Sequence, residues 1–350
     1  MIPHYKNIHN LFKINGFHPT TETLFQLSYS FIKEGEDFEK QIGNFLLDWL
    51  DNKDFIETET SGSTGKPKLI KMQKQAMVNS AIATGNFFDL HPGNKALHCL
   101  PTKYIAGKMM LVRAIILGLE IDLVNPAGKM FGKLHTEYDF AAMVPLQVEN
   151  NLENLQHIKK LIIGGVAPSA EVVNKLKKLP STKVYETYGM TETITHIAAK
   201  EIGKPYFKLM EGVSISLNDK DCLVIKAPRI SEEAIVTNDL VEIKSKNQFK
   251  WLGRIDHVIN SGGVKIIPEV IEEKLSNKIK EKYFIASKPD NKLGEKVILV
   301  VEGNEKSILD TKVFDGLEKY EQPKEVVYVK KFKMTPTDKI NRSATLRLII

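Results

Sequence analysis

The apolar positions of this chain change period several times. In "FEKQIGNFLLDWL" (38–50), Phe38, Ile42, Phe45, Leu46 and Trp49 recur at helical spacing and share one face. From residue 68 short apolar runs alternate with longer amphipathic ones. "KLIKM" (68–72), "KALHCL" (95–100), "EIDLV" (120–124), "DFAAMV" (139–144), "KKLIIGG" (159–165) and "KVYETYG" (183–189) read as strands. Helices are predicted over 74–88, 106–118 and "SAEVVNKLKKL" (169–179). Strands alternating with helices imply parallel βαβ units and an α/β fold.

After about residue 205 the pattern turns to short strands and turns, in "VSISLNDKDCLVIKA" (213–227) and "LVEIKSKNQFKWLG" (240–253). From about 257 it changes again. "PEVIEEKLSNKIK" (268–280) is a helix with Pro268 in its first turn. "YFIASKP" (283–289) and "KVILVVEG" (296–303) are strands around Gly294, followed by a helix near 306–319 and the strand "EVVYVKKF" (325–332). This reads as a small α+β unit after a large α/β one. There are no internal repeats and no low-complexity tract.

Length and composition fit two domains with a substantial core, since 42% of the 350 residues are hydrophobic and 26% charged. The net charge of +6 is spread along the chain. It suits a small polyanion such as a nucleotide and is too diffuse to argue for nucleic acid. Cys99 and Cys222 are the only cysteines, so neither a disulfide framework nor a zinc site is expected. The first residues lack a signal-peptide pattern, and "MMLVRAIILGL" is too short and too interrupted by Arg113 to span a bilayer. A cytoplasmic location is expected. Oligomeric state is not legible.

The stretch "TSGSTGKPK" (60–68) concentrates hydroxyls, glycines and lysines. Such clusters are either surface turns or anion-holding loops. It is not a Walker loop, because Thr60 stands where glycine is required and Pro67 follows Lys66. Three further stretches follow in order: "YGMTE" (188–192), "GRIDHVINSGGVKIIPEVIE" (253–272) and "PTDKINR" (336–342). Together the four resemble the adenylate-forming superfamily of acyl-CoA synthetases, luciferases and peptide-synthetase adenylation domains, from about residue 60 to the C-terminus.

The resemblance implies an ATP-dependent, AMP-forming acid–thiol ligase using Mg²⁺ and coenzyme A. It implies an N-terminal adenylation domain over 1–255 and a mobile C-terminal domain over 256–350, with Asp256 as the hinge. Thr60, Ser61, Gly62, Ser63, Thr64, Gly65, Lys66 and Lys68 would surround the ATP phosphates. Tyr188 and Gly189 would lie beside adenine, Thr191 near the α-phosphate and Glu192 toward Mg²⁺, with Gly164 and Gly165 next to the nucleotide. Asp239 would accept the ribose hydroxyls and Arg254 would contact ribose or phosphate. Lys339 would be the catalytic lysine. Gly262 and Gly263 would let the pantetheine arm of coenzyme A pass, and Lys265 would meet its phosphates.

Three departures stand out. Asn238 replaces the glycine that usually precedes the ribose aspartate; asparagine tolerates left-handed backbone, so a turn is expected to survive there. Asp338 replaces the glycine before the lysine. Only about 60 residues precede the phosphate loop, fewer than is usual, so the acyl pocket wall does not transfer by analogy.

"YGMTETITHIA" (188–198) and "LPTKYIAGKMMLVRAII" (100–116) are similar to the o-succinylbenzoate–CoA ligases of menaquinone synthesis. Tyr104, Lys108, Arg113 and His196 are then candidates for the acid pocket, and Arg113 stands out because burying it is costly unless it is paired. The alternatives are a ligase for another aryl or fatty acid, an adenylate former that loads a carrier protein, and a non-catalytic nucleotide-binding protein.

Overall fold

The computed structural model describes residues 2–59, 69–128, 136–304, 311–335 and 339–349. The chain opens with the short strand β1 (Lys13–Ile14) and the helices α1 (Thr21–Glu34) and α2 (Asp37–Leu50). Thr20 caps α1 by accepting from the Thr23 amide, which satisfies a donor the helix cannot. Strands β2 (Phe55–Glu59) and β3 (Leu69–Gln73) pair antiparallel, and among the described residues only with each other.

Next come α3 (Lys74–Phe88), β4 (Lys95–His98), α4 (Ile105–Leu117), β5 (Glu120–Leu123), β6 (Tyr138–Met143), α5 (Pro145–Asn150), β7 (Ile158–Ile163), α6 (Ala170–Leu176) and β8 (Lys183–Gly189). Strands β1, β5, β4, β6, β7 and β8 lie in that order, all parallel. The central strands β4, β6 and β7 are buried on both faces, as expected where helices cover a parallel sheet. On β4, Ala96 joins the cluster of Phe12, Leu46, Trp49 and Met110, while Leu97 joins Tyr138, Leu161 and Val184 on the other face.

The same sheet continues antiparallel through β9 (His196–Glu201), β10 (Phe207–Leu209), β14 (Gln248–Arg254), β13 (Ile235–Ser245), β12 (Cys222–Lys226) and β11 (Ser214–Leu217). The β-rich stretch is therefore an extension of the α/β sheet, twelve strands in all among the described residues.

A second sheet follows. It contains the hairpin β15 (Ile259–Ser261) and β16 (Val264–Ile266), then β17 (Tyr283–Asp290), β18 (Gly294–Glu302) and β19 (Glu325–Val329). Helix α7 (Pro268–Leu275) buries Ile271 and Leu275 against one face, with Leu299. Phe284, Ile298 and Phe332 cluster on the other face near the terminal turn α8 (Arg342–Leu346).

Three expectations are corrected. "KLIKM" is a strand, β3, but it stands outside the parallel sheet; only one of its faces is covered, so it cannot be a central strand. Within 311–319 the described residues form a single 3₁₀ turn, Thr311–Phe314, closed off by Gly316 at φ +86°, and not an α-helix. The helix expected to run to 280 stops at Leu275, where the Ser276 hydroxyl donates to the Glu273 carbonyl in competition with the helical backbone. No helix among the described residues is long and apolar enough to cross a membrane.

Candidate active site

The candidate site lies at the C-terminal ends of β7 and β8, the edge of an open α/β sheet where ligands collect. Gly164 and Gly165 follow β7, and the Thr187 hydroxyl of β8 donates to the Ile163 carbonyl beside them at 3.1 Å. Gly189 is required by space. A Cβ there would stand 2.4 Å from both the Thr195 oxygen and His196 Cα, so β8 and β9 could not close at their bulge. Thr191 and Glu192 occupy the 3₁₀ turn that follows, with Glu192 exposed and in no ion pair among the described residues.

Tyr188 packs edge-on against Phe249 at 5.1 Å. Its hydroxyl donates to Asp239 Oδ2 at 2.5 Å, while Trp251 Nε1 donates to Asp239 Oδ1 at 3.1 Å. Burial, and then the Asp239 charge, push the Tyr188 hydroxyl up, so it stays a proton donor. Asp239 faces Arg254 across the β13–β14 ladder, with Arg254 Nη1 4.0 Å from Oδ1. Arg254 Nη2 reaches onward to Asp256 Oδ2 at 2.6 Å. Asn238 has no left-handed turn, contrary to expectation. It lies inside the extended strand β13, whose alternation buries Thr237 and Asp239 and turns Asn238 outward.

Lys339 is held by a tight return of the chain. Its amide donates to the Thr335 hydroxyl at 3.1 Å, its carbonyl accepts from the Thr335 amide at 2.8 Å, and Met334 bridges Ile340. Arg342 anchors the far side of this return through Glu272 at 2.8 Å and the Phe284 ring at 5.5 Å. Burial and then the Arg254 guanidinium hold Lys339 below the ordinary lysine range. Of the described charged groups on the first sheet, Arg254 is the one whose charge acts on Lys339 in this way. Asp338 lies outside the described residues, as do Thr60, Ser61, Gly62, Ser63, Thr64, Gly65, Lys66 and Lys68.

Gly262 and Gly263 (φ +58° and +83°) form the two-residue turn joining β15 to β16, a conformation that needs positive φ at both positions. A Cβ on Gly263 would meet nothing within 4 Å, so this backbone presents open space. Lys265 is exposed on β16, beside that turn.

The four acid-pocket candidates separate. Tyr104 stands at the N-cap of α4. Lys108 points away from Arg113 and donates to the Glu57 carbonyl on β2 at 3.2 Å. Arg113 and His196 are brought together through Thr195, which the sequence reading missed. Arg113 Nη2 donates to Thr195 Oγ1 at 3.2 Å, and Thr195 Oγ1 lies 3.3 Å from His196 Nδ1. His196 Nε2 lies 3.2 Å from Thr84 Oγ1, which donates to the Ser80 carbonyl at 2.9 Å. Arginine only donates and the Thr84 proton is already placed, so the chain of bonds has one direction. His196 is neutral, protonated on Nε2, and both its nitrogens are engaged. Burial, and then the Arg113 charge, keep its pKa well below the usual value.

Arg113 itself is 1% exposed, Nε has no partner, and no acidic side chain pairs with it among the described residues. Burial draws its pKa down to about 9, which leaves it charged at neutral pH. The adjoining backbone is strained. Ile194 has φ +65° and ψ −56°, and the Thr195 amide donates to the Thr193 carbonyl at 2.7 Å, a γ-turn that β-branched residues avoid.

Residues 60–216 match a family profile described as AMP-binding enzyme. The crystal structure of an acyl-CoA synthetase (AMP-forming)/AMP-acid ligase II-like protein from Dyadobacter fermentans is 34% identical, and the match covers 93% of this chain and 98% of that one at a TM-score of 0.62. The chain belongs to the AMP-binding, adenylate-forming family. Its fold is that of other adenylate-forming enzymes. O-succinylbenzoate coenzyme A synthetase from Bacillus subtilis, in complex with ATP and magnesium, superposes at a TM-score of 0.71 with 19% identity over 95% of this chain and 83% of that one. Among curated relatives, 2-succinylbenzoate–CoA ligase of Haemophilus influenzae is 25% identical over 76% of this chain and 64% of its own length. The corresponding ligase of Bacillus cereus is 25% identical over 83% of this chain and 69% of its own. The chain thus spans less than two thirds of the Haemophilus relative.

Proposed function

We propose that this protein is an AMP-forming acid–thiol ligase and that its acid is o-succinylbenzoate. The observation that carries the reading is the run of contacts from Tyr188 through Asp239 to Arg254, which joins the second and third motif stretches at the strand ends. In the first half-reaction an acid oxygen bonds to the α-phosphorus of ATP and the α–β phosphoanhydride bond breaks, releasing pyrophosphate. In the second, the thiol of coenzyme A bonds to the acyl carbon and AMP leaves. Neither half requires a protein nucleophile, so the side chains act by position and charge.

Asp239, oriented by Tyr188 and Trp251, keeps lone pairs to accept ribose hydroxyl protons. Lys339 and Arg254 supply positive charge where the acid and phosphate oxygens crowd together. Glu192, an exposed carboxylate at the strand end, would hold an Mg²⁺ ion, which would supply positive charge to the ATP phosphates. The 60–68 stretch would hold those phosphates. The open Gly262–Gly263 turn and Lys265 suit the arm and phosphates of coenzyme A.

The acid is assigned from Arg113. A buried guanidinium with an unpartnered Nε and no acidic neighbour favours an anionic group on the substrate. The distal carboxylate of o-succinylbenzoate supplies one, and the names of the Haemophilus and Bacillus relatives agree. The near-complete burial of Arg113 favours a second reading, in which a different aryl or fatty acid never reaches it.

The test is pyrophosphate release with a panel of acids, with and without coenzyme A. The proposal expects o-succinylbenzoate to have the highest specificity constant and coenzyme A to be consumed. A higher value for a fatty acid or simple benzoate overturns the named acid. No acid-dependent release with any member overturns the ligase.

A further inference from the structure

The hinge of this chain carries a device that its own sequence departure creates. Asn238 turns outward from β13 because its neighbours Thr237 and Asp239 turn inward. There its side-chain amide Nδ2 lies 3.2 Å and 3.3 Å from the two oxygens of Asp256. Asp256 sits in the 3₁₀ turn Ile255–His257 that leads from the first sheet into the second. Its remaining partner is Arg254 Nη2 at 2.6 Å. The Arg254 bond, and then the Arg254 charge with help from Asn238, hold the Asp256 carboxyl below the usual range, against the effect of burial.

We propose that Asn238 is a positioning residue that latches Asp256 onto β13 and β14 of the first sheet, and that releasing this latch accompanies rotation of the second sheet's domain. This rests on the reading of the chain as a two-step ligase with its hinge at Asp256. Two observations carry it. The donors to Asp256 come from β13 and β14 of the first sheet, while Asp256 begins the segment that would move. The Asp256 side chain also borders an open cleft of about 470 Å³, lined by Asn218, Lys220, Asn238 and Ile255, rather than packed core. Leaving the latch therefore breaks polar contacts and creates no cavity. Glycine at 238 would offer no such donor. Arg254 is shared with Asp239, so Asn238 is the member that can be changed without touching the nucleotide groups.

The experiment measures the distance between spin labels on cysteines substituted for Lys246 and Lys319, exposed positions on the two parts, with the native Cys99 and Cys222 buried. Asn238→Ala is expected to enlarge the rotated population about 3- to 10-fold, the scale of one net hydrogen bond. Asn238→Asp, which sets a like charge against Asp256, is expected to enlarge it further. Val236→Ala, on the same outward face, is expected to change nothing. In half-reaction assays Asn238→Ala should raise thioester formation relative to adenylation. Identical distance distributions in all variants, or an unchanged ratio of half-reactions in variants whose adenylation is measurable, overturn the latch. If the unaltered chain adenylates no acid, the ligase reading fails, and the distance measurement still decides the latch.

Discussion

The Tyr188 hydroxyl donates to Asp239 Oδ2 at 2.5 Å, from a ring wedged edge-on against Phe249. This bond joins β8 to β13, strands separated in the sheet by β9, β10 and β14. It fixes which lone pairs of Asp239 remain for a ligand. Tyr188→Phe keeps the ring and removes the donor, so it should raise the KM for ATP about 3- to 10-fold with little effect on stability. Asp239→Asn should cost more. An unchanged KM in both, measured by pyrophosphate release, would remove Asp239 from the nucleotide site.

On the proposed reading, Arg113 sets stability against specificity. Replacing a buried, acid-free guanidinium by an apolar side chain of similar length relieves desolvation. Arg113→Met is therefore expected to raise the unfolding free energy by about 1–4 kcal/mol. The same variant should lose about 10²-fold in specificity constant for o-succinylbenzoate, and little for an acid without the second carboxylate. Thr195→Val, which removes the acceptor that aims Nη2, should fall between. A variant destabilised by Arg113→Met, or one that keeps its preference for the dicarboxylate, contradicts this role.

Much of the fold was legible because the relevant periods are local. The face of Phe38, Ile42, Phe45, Leu46 and Trp49 is helix α2, and all but Phe38 are buried along it. The central strands β4, β6 and β7 announced themselves as apolar runs because both their faces are covered, while the two-residue β1 left no such run. What was not legible depends on long-range register. β3 has the composition of a strand, but only pairing decides that it meets β2 and leaves the parallel sheet. Thr195 and Trp251 carry no motif. They matter because the β8–β9 turn and the β13–β14 ladder set them beside Arg113 and Asp239. Asn238 stands out in the sequence for its backbone tolerance, whereas in the fold it is the side chain that bonds Asp256.

Acid sensitivity should follow His98. Its Nε2 shares a 3.0 Å hydrogen bond with Thr102, its Nδ1 is buried without a partner, and burial lowers its pKa from 6.5 to about 4. The unfolded chain takes up this proton near pH 6.5 and the folded chain resists until about pH 4. The neutral form's stabilisation is thus complete above pH 6.5 and is lost as pH falls toward 4, by about 3 kcal/mol. Denaturant unfolding across that window should show the slope, and His98→Gln should reduce it, leaving the share of His196, which burial also keeps neutral. A wild-type curve as flat as the variant's contradicts the assignment.

Glu192→Gln should raise the Mg²⁺ concentration needed for half-maximal adenylation, because it removes the exposed carboxylate at the end of β8. An unaltered Mg²⁺ titration refutes the role.

On the proposed reading, Lys339 serves one half-reaction and is carried away for the other. Lys339→Ala should lose about 10²- to 10³-fold in pyrophosphate release, the scale of one preorganised charge, and largely keep thioester formation from supplied acyl-adenylate. Asp256→Pro, which fixes φ at the hinge, should do the reverse. The decisive measurement assays both variants, folded, for pyrophosphate release and for coenzyme A consumption with preformed adenylate. Opposite losses are the predicted result; equal losses of both halves in both variants contradict the account.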